Sequence, residues 1–143
     1  MTRRILLCLL LSSLFCSMLQ AGNGKATMNY WLSNSSTSET SHIFLSNITE
    51  NDINVTITVY SYDGSVVTSG LSYTNMTSTV LAAGKTGYLS MATSSLDWGY
   101  AVIEWENQSG NDDVVALVCN GLYARQSGGH SRHLVPINDG MPF

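Results

Sequence analysis

Two carboxylates, Glu104 and Glu106, lie two residues apart in the segment GYAVIEWEN. On a β-strand, such side chains point to the same face, and the rise along the strand separates them by about 7 Å. That separation suits the carboxylate pair of a glycoside hydrolase. A solvated strand face carries the same pattern much more often, and the chain contains no G-x-S-x-G nucleophile motif. We therefore predict no catalytic residue and keep a small secreted hydrolase as an alternative.

A second group that could do chemistry is the histidine pair His130 and His133, which follows two glycines. The glycines disfavour a helix, and on a strand a spacing of three residues sends the two rings to opposite faces. A metal site needs several side chains that converge on one point. Asp112–Asp113 offers oxygen ligands for calcium, but the complete loop motif is absent. We therefore predict loop histidines, no metal site and no cofactor.

The aromatic residues are the strongest candidates for a binding surface. The chain contains three tryptophans and seven tyrosines, whereas charged residues make up only 11% of it. Such side chains can stack on sugars or anchor a protein partner. Core packing is the commoner role for them and is the alternative here. We predict that the ligand-binding residues are Trp31, Trp98 and Tyr100.

The first 21 residues have the layout of a secretory signal peptide. Arg3 and Arg4 form a positive segment, an apolar run follows, and Ala21 provides a small residue at the expected cleavage point. The apolar run is too short for a membrane-spanning helix, although a retained anchor is the alternative. We therefore predict a signal peptide at 1–21, a secreted or periplasmic location, and a single domain at 22–143.

The composition of the predicted mature chain excludes some partners. Four basic residues remain against ten acidic residues, which gives a net charge of −6. This balance disfavours nucleic acid, because no basic patch is left to neutralise phosphates. No further apolar run is long enough to span a membrane as a helix. Cys119 is the single cysteine left in an apolar segment, and we interpret it as a buried small hydrophobic residue.

The pattern of apolar residues indicates β-strands throughout the mature chain. In INVTITVYSYDG, apolar residues alternate with polar ones, and Asp63–Gly64 provides turn chemistry at the end. GYAVIEWEN alternates in the same way, and Pro136 favours an edge position for the last strand. These patterns predict an all-β fold, a single antiparallel β-sandwich of the immunoglobulin-like kind with about seven to nine strands.

Several segments also resemble a known family when they are taken in order. LSNITENDINVTITVYSYDG is followed by STVLAAGKTGYL and then by GYAVIEWEN and DDVVALVCNGLYARQ. Over roughly residues 42–127 this order is similar to small bacterial β-sandwiches of the sensory rhodopsin transducer type. The resemblance implies a sandwich that oligomerises and binds a partner or small ligand without catalysis. Those transducers are cytoplasmic whereas this chain is predicted to be exported, so neither their signalling role nor any functional residue is carried over.

The function that these observations favour is an exported, non-catalytic binding or assembly module. We expect a protein or carbohydrate partner, or self-association into a homo-oligomer. Besides the hydrolase, a third hypothesis is a structural subunit that adds an exposed edge strand to a neighbouring chain.

Overall fold

Residues 22–126, 128 and 130–143 are the part of the chain that the computed structural model describes. The predicted signal peptide lies outside these described residues. Within them, the backbone forms nine β-strands and two short 3₁₀ turns, at Ser35–Thr37 and Asn138–Gly140. The strands are β1 (Asn23–Ser33), β2 (Glu39–Asn47), β3 (Ile53–Ser61), β4 (Leu71–Thr74), β5 (Val80–Leu81), β6 (Thr86–Met91), β7 (Asp97–Asn107), β8 (Leu117–Arg125) and β9 (Ser131–Pro136).

The strands form two antiparallel sheets. The first sheet has the order β1-β7-β3-β5, and the second has the order β4-β6-β2-β8-β9. The predicted all-β class is therefore confirmed, and the number of strands lies within the predicted range. The immunoglobulin-like part of the prediction is not confirmed, because the first two strands are neighbours in an immunoglobulin sheet whereas β1 pairs with β7 here.

Alternation of side chains gives each sheet one apolar and one more polar face. In β3, Ile53, Val55, Ile57 and Val59 are buried and the residues between them are more exposed. In β7, Ala101, Ile103 and Trp105 are buried in the same way. The buried residues of both sheets belong to one hydrophobic cluster, as in a β-sandwich. The period-two prediction for these two segments is confirmed.

The strands β1 and β9 lie at one edge of each sheet and approach each other there. Met28 of β1 forms an isolated antiparallel bridge with Ile137, directly after β9. Pro136 ends the edge strand β9, as its sequence predicts, where its missing N–H breaks no ladder. The Trp105 indole N–H donates a 2.7 Å hydrogen bond to the Phe143 carbonyl. The chain after β9 therefore packs back on the core.

Candidate functional site

Four aromatic side chains form two stacked pairs on the outer face of the first sheet, and we call them the aromatic quartet: Tyr60, Tyr62, Trp98 and Tyr100. Tyr60 and Tyr100 face each other across β3 and β7, with ring centroids 4.7 Å apart and ring planes at 13°. Tyr62 and Trp98 repeat the arrangement at 4.6 Å and 20°. Stacking orders the two rings within each pair, because each side chain restricts the rotamers of its partner.

The quartet is exposed because of where it lies in the strand alternation. Asp97, Gly99 and Ala101 point inward, so Trp98 and Tyr100 point outward. Both outward rings are 40% exposed, and Tyr62, directly after β3, is 64% exposed. Large contiguous apolar surfaces on soluble proteins mark sites of interaction. Trp98 and Tyr100 therefore lie in an exposed aromatic surface that also includes Tyr60 and Tyr62, two tyrosines that the sequence analysis did not select.

Trp31 does not fit its predicted contact with a ligand, because its side chain is fully buried in the core. The physical reason is a break in the pairing of β1 with β7 between Met28 and Trp31. The extra residue reverses the alternation, so Tyr30 points outward and Trp31 inward. The indole N–H of Trp31 donates a 2.9 Å hydrogen bond to the Tyr60 carbonyl. Trp31 therefore supports the quartet from below.

Gly99 allows the backbones of β7 and β3 to approach each other closely beneath the quartet. A Cβ atom at this position would overlap the carbonyl oxygen of Tyr60 on the neighbouring strand. On its other side, Gly99 is paired with Trp31 in the β1–β7 ladder. The short sequence Trp98-Gly99-Tyr100 thus combines two outward rings with the one residue type that permits this approach.

A cavity of about 260 Å³ lies at the same end of the sandwich, and we call it the hydroxyl cavity. Serine and threonine side chains dominate its wall. Its lining consists of Ser61, Ser65, Val66, Val67, Thr68, Ser69, Thr93, Ser94, Ser95 and Asp97. Ser61 and Asp97 directly precede Tyr62 and Trp98 in the chain, so their side chains point inward where the rings point outward. None of the four rings is among the described residues that line the cavity.

Hydrogen bonds hold the carboxylate of this cavity in place. The hydroxyl of Ser61 donates to Asp97 Oδ1 at 2.6 Å, and the backbone N–H of Trp98 donates to the same oxygen at 2.8 Å. No described residue donates a hydrogen bond to Asp97 Oδ2. The hydroxyls of Ser94 and Ser95 have no hydrogen-bond partner among the described residues either. These groups have hydrogen-bonding capacity left for a ligand.

The predicted carboxylate pair lies on the same outer face but at the opposite end of β7. Glu104 and Glu106 line a shallow cavity of about 400 Å³. Glu104 forms an exposed 2.9 Å ion pair with Lys25, which raises the pKa of that lysine. The Asn54 amide donates to Glu106 at 3.3 Å. The shared strand face is confirmed, and each carboxylate has a polar partner from a neighbouring strand.

A second aromatic cluster lies on the outer face of the second sheet, and we call it the His42 cluster: His42, Phe44 and Tyr88. Its ring centroids are 5.4 to 6.1 Å apart, and the ring planes are tilted by 40° to 77°. All three residues are half-buried. Burial lowers the pKa of His42, and its Nδ1 atom has no hydrogen-bond partner among the described residues. The rings of this cluster are therefore less exposed to solvent than Tyr62, Trp98 and Tyr100 of the quartet.

The other predicted groups are not brought together. His130 precedes β9, and His133 lies within it and stacks on Tyr123 at 6.0 Å. Asp113 accepts a 3.1 Å hydrogen bond from the Asn51 amide. Within the described ranges, no three His, Cys, Asp or Glu side chains are grouped so as to hold a metal ion. Cys119 is buried, and burial raises its thiol pKa to about 12, so the reactive thiolate is disfavoured.

Fold and surface together define an all-β, β-sandwich-like protein with an exposed aromatic surface on one sheet. None of its described helices is long and apolar enough to cross a membrane. Comparisons of the chain with protein-family models, with curated proteins and with solved structures found no match. The resemblance to the sensory rhodopsin transducers stays a prediction.

Proposed function

We propose that the mature chain is an exported, non-catalytic binding module whose contact surface is the aromatic quartet. The observation that carries the proposal is the pair of ring stacks held on the outer face of the first sheet, with Tyr62 64% exposed and Trp98 40% exposed. Rings that are already ordered lose little conformational entropy when a ligand binds. The basic, apolar and small residues of 1–21 support export to a secreted or periplasmic location.

The neighbourhood of the quartet supports binding more than catalysis. The two carboxylates next to its rings in the chain, Asp63 and Asp97, each accept hydrogen bonds from a serine hydroxyl and from a backbone N–H. The candidate hydrolase pair lies at the far end of the strand, where Glu104 is bound to Lys25. Glu104 and Glu106 each have a polar partner on an open strand face, which is the environment of solvated surface carboxylates.

The quartet can be tested by its removal. A Tyr62→Ala/Trp98→Ala double variant of residues 22–143 is compared with a Glu104→Gln/Glu106→Gln control from the same sheet face. Each protein is applied to a glycan array, and in a separate experiment it is immobilised and exposed to proteins of the culture medium. We expect the quartet variant to lose the partner that the natural sequence captures and the control to retain it. Retention by the quartet variant and loss by the control would refute the proposal and favour the acidic end.

A second candidate function, assembly through an edge strand, has support from β1. This strand is 11 residues long and pairs with β7 along one side. On its other side, within the described residues, it forms a single isolated bridge, between Met28 and Ile137. Unpaired edges can accept a strand from another chain. Light scattering over a range of concentrations tests this function. A mass that stays at the monomer value throughout would exclude it.

A further inference from the structure

We infer that this chain self-associates through a contact between a loop of one copy and a cavity of a second copy. The loop, residues 108–116, connects β7 to β8, and we call it the acidic loop. The cavity lies where β8 ends and β9 begins, and we call it the basic cavity. The inference goes beyond the proposed binding function, because the contact involves neither the aromatic quartet nor strand addition at a sheet edge.

The basic cavity has a volume of about 640 Å³. Its described lining residues are Ala124, Arg125, Gln126, His130 and Arg132. Two of the four lysine and arginine residues of the predicted mature chain therefore lie at one cavity, and no carboxylate is among the described residues that line it. A guanidinium group donates paired hydrogen bonds to a carboxylate, so this cavity suits an acidic side chain.

The two arginines of the basic cavity differ in how far their charge is already neutralised. Arg125 Nε lies 3.8 Å from Glu39 Oε1, and the same carboxylate accepts hydrogen bonds from Thr37 and Tyr123. The side chain of Arg132 forms no ion pair and no hydrogen bond with another described residue. Arg132 is also exposed, so its charge and its donors face solvent and can meet a partner.

The acidic loop contains two carboxylates and no basic residue. Asp112 is exposed, and its side chain has no partner among the described residues. Val114 is 82% exposed, which is unusual for an aliphatic side chain. The Asn107 amide donates a 2.8 Å hydrogen bond to the Asp113 carbonyl, directly before Val114. The loop therefore presents an acidic and an apolar side chain from an anchored backbone.

Exposed apolar surface lies beside the basic cavity as well. Arg132 and Leu134 are two residues apart on the outward face of β9, which separates them by about 7 Å along the strand. Leu134 is 78% exposed and is paired with Leu122 of β8. Each surface thus combines an unpartnered charge with an exposed aliphatic side chain, and the two charges have opposite signs. Contact of Val114 with Leu134 would add apolar burial to an ion pair that is weak by itself.

The positions of the two surfaces determine how the copies can pair. β8 is nine residues long, so the surfaces at its two ends lie about 25 Å apart, and a chain cannot place its own loop in its own cavity. Two copies with antiparallel β8 strands satisfy both contacts at once, and closed two-fold pairs are the commonest form of self-association. The predicted mature chain has a net charge of −6, so the copies repel each other unless opposite charges meet locally. We therefore expect a dimer with two loop–cavity contacts.

The test is sedimentation equilibrium of residues 22–143 from about 10 μM to about 1 mM, where we expect the mass to rise from one chain towards two. Asp112→Arg and Arg132→Asp each place like charges at both contacts and should weaken dimerisation by about tenfold or more. An equimolar mixture of these two variants restores opposite charges at both contacts, so it should form a heterodimer. Both residues are exposed and unpartnered among the described residues, so the fold should be retained, which circular dichroism checks.

Two controls and one further variant sharpen the test. Glu50→Arg makes the same charge change at an exposed position of the β2–β3 loop and should dimerise like the natural sequence. Val114→Ser should weaken dimerisation by about threefold or more, because apolar burial is lost. Salt raised from about 0.05 M to about 0.5 M should weaken it too, since exposed charges are screened. The Tyr62→Ala/Trp98→Ala variant should dimerise normally.

The outcomes separate this inference from the other routes of binding. A natural chain that stays monomeric throughout overturns the inference and leaves binding by the quartet untouched. Dimerisation that persists in both Asp112→Arg and Arg132→Asp points to another route, such as the β1 edge, and also overturns it. If the mixture associates no better than either variant alone, the two residues are not in contact. If the natural chain stays monomeric and binds inorganic phosphate through Arg132, the occupant of the cavity is a small anion and not a second copy.

Discussion

The two outer faces of the sandwich each carry an aromatic cluster, but the rings are arranged differently. The quartet consists of near-parallel pairs, with Tyr62 64% exposed, whereas the rings of the His42 cluster are tilted against one another and half-buried. Tilted rings cover one another's edges and faces, while paired rings leave their outward surface open to solvent. The two clusters therefore have similar aromatic content but expose different amounts of ring surface to solvent.

The backbone beneath the two clusters differs as well. The quartet lies at the end of β3 and the start of β7, where Gly99 allows the two strands to approach each other closely. The His42 cluster lies across the paired strands β2 and β6, in the interior of the second sheet. Under the proposed function we expect the His42 cluster to contribute mainly to stability and the quartet mainly to binding, and the following experiments test that difference.

The largest expected effect concerns the residue that supports the quartet. Trp31→Ala removes a fully buried indole and leaves the Tyr60 carbonyl without its donor. We expect the free energy of unfolding to fall by about 3–5 kcal/mol. Urea denaturation followed by far-UV circular dichroism measures the change. Trp98→Ala is the matched control and should cost about 1 kcal/mol or less, because that indole is partly exposed. Equal losses would show that Trp98 is structural.

The direct comparison of the two clusters is Phe44→Ala against Tyr62→Ala. Phe44 is half-buried between His42 and Tyr88, so we expect its loss to lower the free energy of unfolding by about 1–2 kcal/mol. Tyr62 is exposed, and its loss should change stability by about 0.5 kcal/mol at most. The same denaturation assay applies to both. A larger loss for Tyr62 than for Phe44 would reverse the roles that we assign to the clusters.

A double-mutant cycle on Tyr60 and Tyr100 tests whether stacking orders the quartet. The rings are 4.7 Å apart, so we expect a coupling energy of about 0.5–1.5 kcal/mol between the two alanine substitutions. Tyr60 and Tyr88 lie on different sheets and provide the control cycle. Their effects should add within about 0.5 kcal/mol. Additive effects for the stacked pair would mean that the two rings are positioned independently of each other.

The smallest effect concerns His42. Its burial disfavours the charged imidazolium and lowers its pKa, so the unfolded chain takes up the proton first as the pH falls. Stability should therefore decrease as the pH drops below about 6.5, and His42→Gln should lack that part of the decrease. Urea denaturation at about pH 7.5 and about pH 5.5 gives the comparison. Identical pH dependence of the two proteins would contradict the expected burial.

Titration of Glu39 and Asp63 does not interfere with the comparison between His42→Gln and the natural sequence. Hydrogen bonds from neighbouring hydroxyl groups lower the pKa of both carboxyl groups. Stability that depends on them is present above the ordinary carboxyl range and is lost as the pH falls through it, at lower pH than the His42 effect. Both carboxylates are retained in His42→Gln. The difference between the two proteins therefore isolates the histidine.

Much of the fold could be predicted from local pattern. The alternation in INVTITVYS and GYAVIEWEN predicted which residues point inward, and it placed Glu104 and Glu106 together on the outer face. Tyr60 was missed although the same alternation points it outward. The signal for Tyr62 was weaker, because it lies past the end of β3 beside the Asp63–Gly64 turn. Period-two patterns work here because each strand has only one buried face.

By itself, the sequence determined the all-β class, the inward and outward faces of β3 and β7, and the supply of aromatic and hydroxyl groups. Only the tertiary structure decided which strands pair, so that Tyr60 meets Tyr100, and which distant segments enclose the hydroxyl cavity. It also decided the position of Trp31, because the irregularity in the β1–β7 ladder reverses an alternation that would otherwise turn this side chain outward. Pairing and bulges depend on contacts between residues far apart in the chain, and local periodicity carries no information about those contacts.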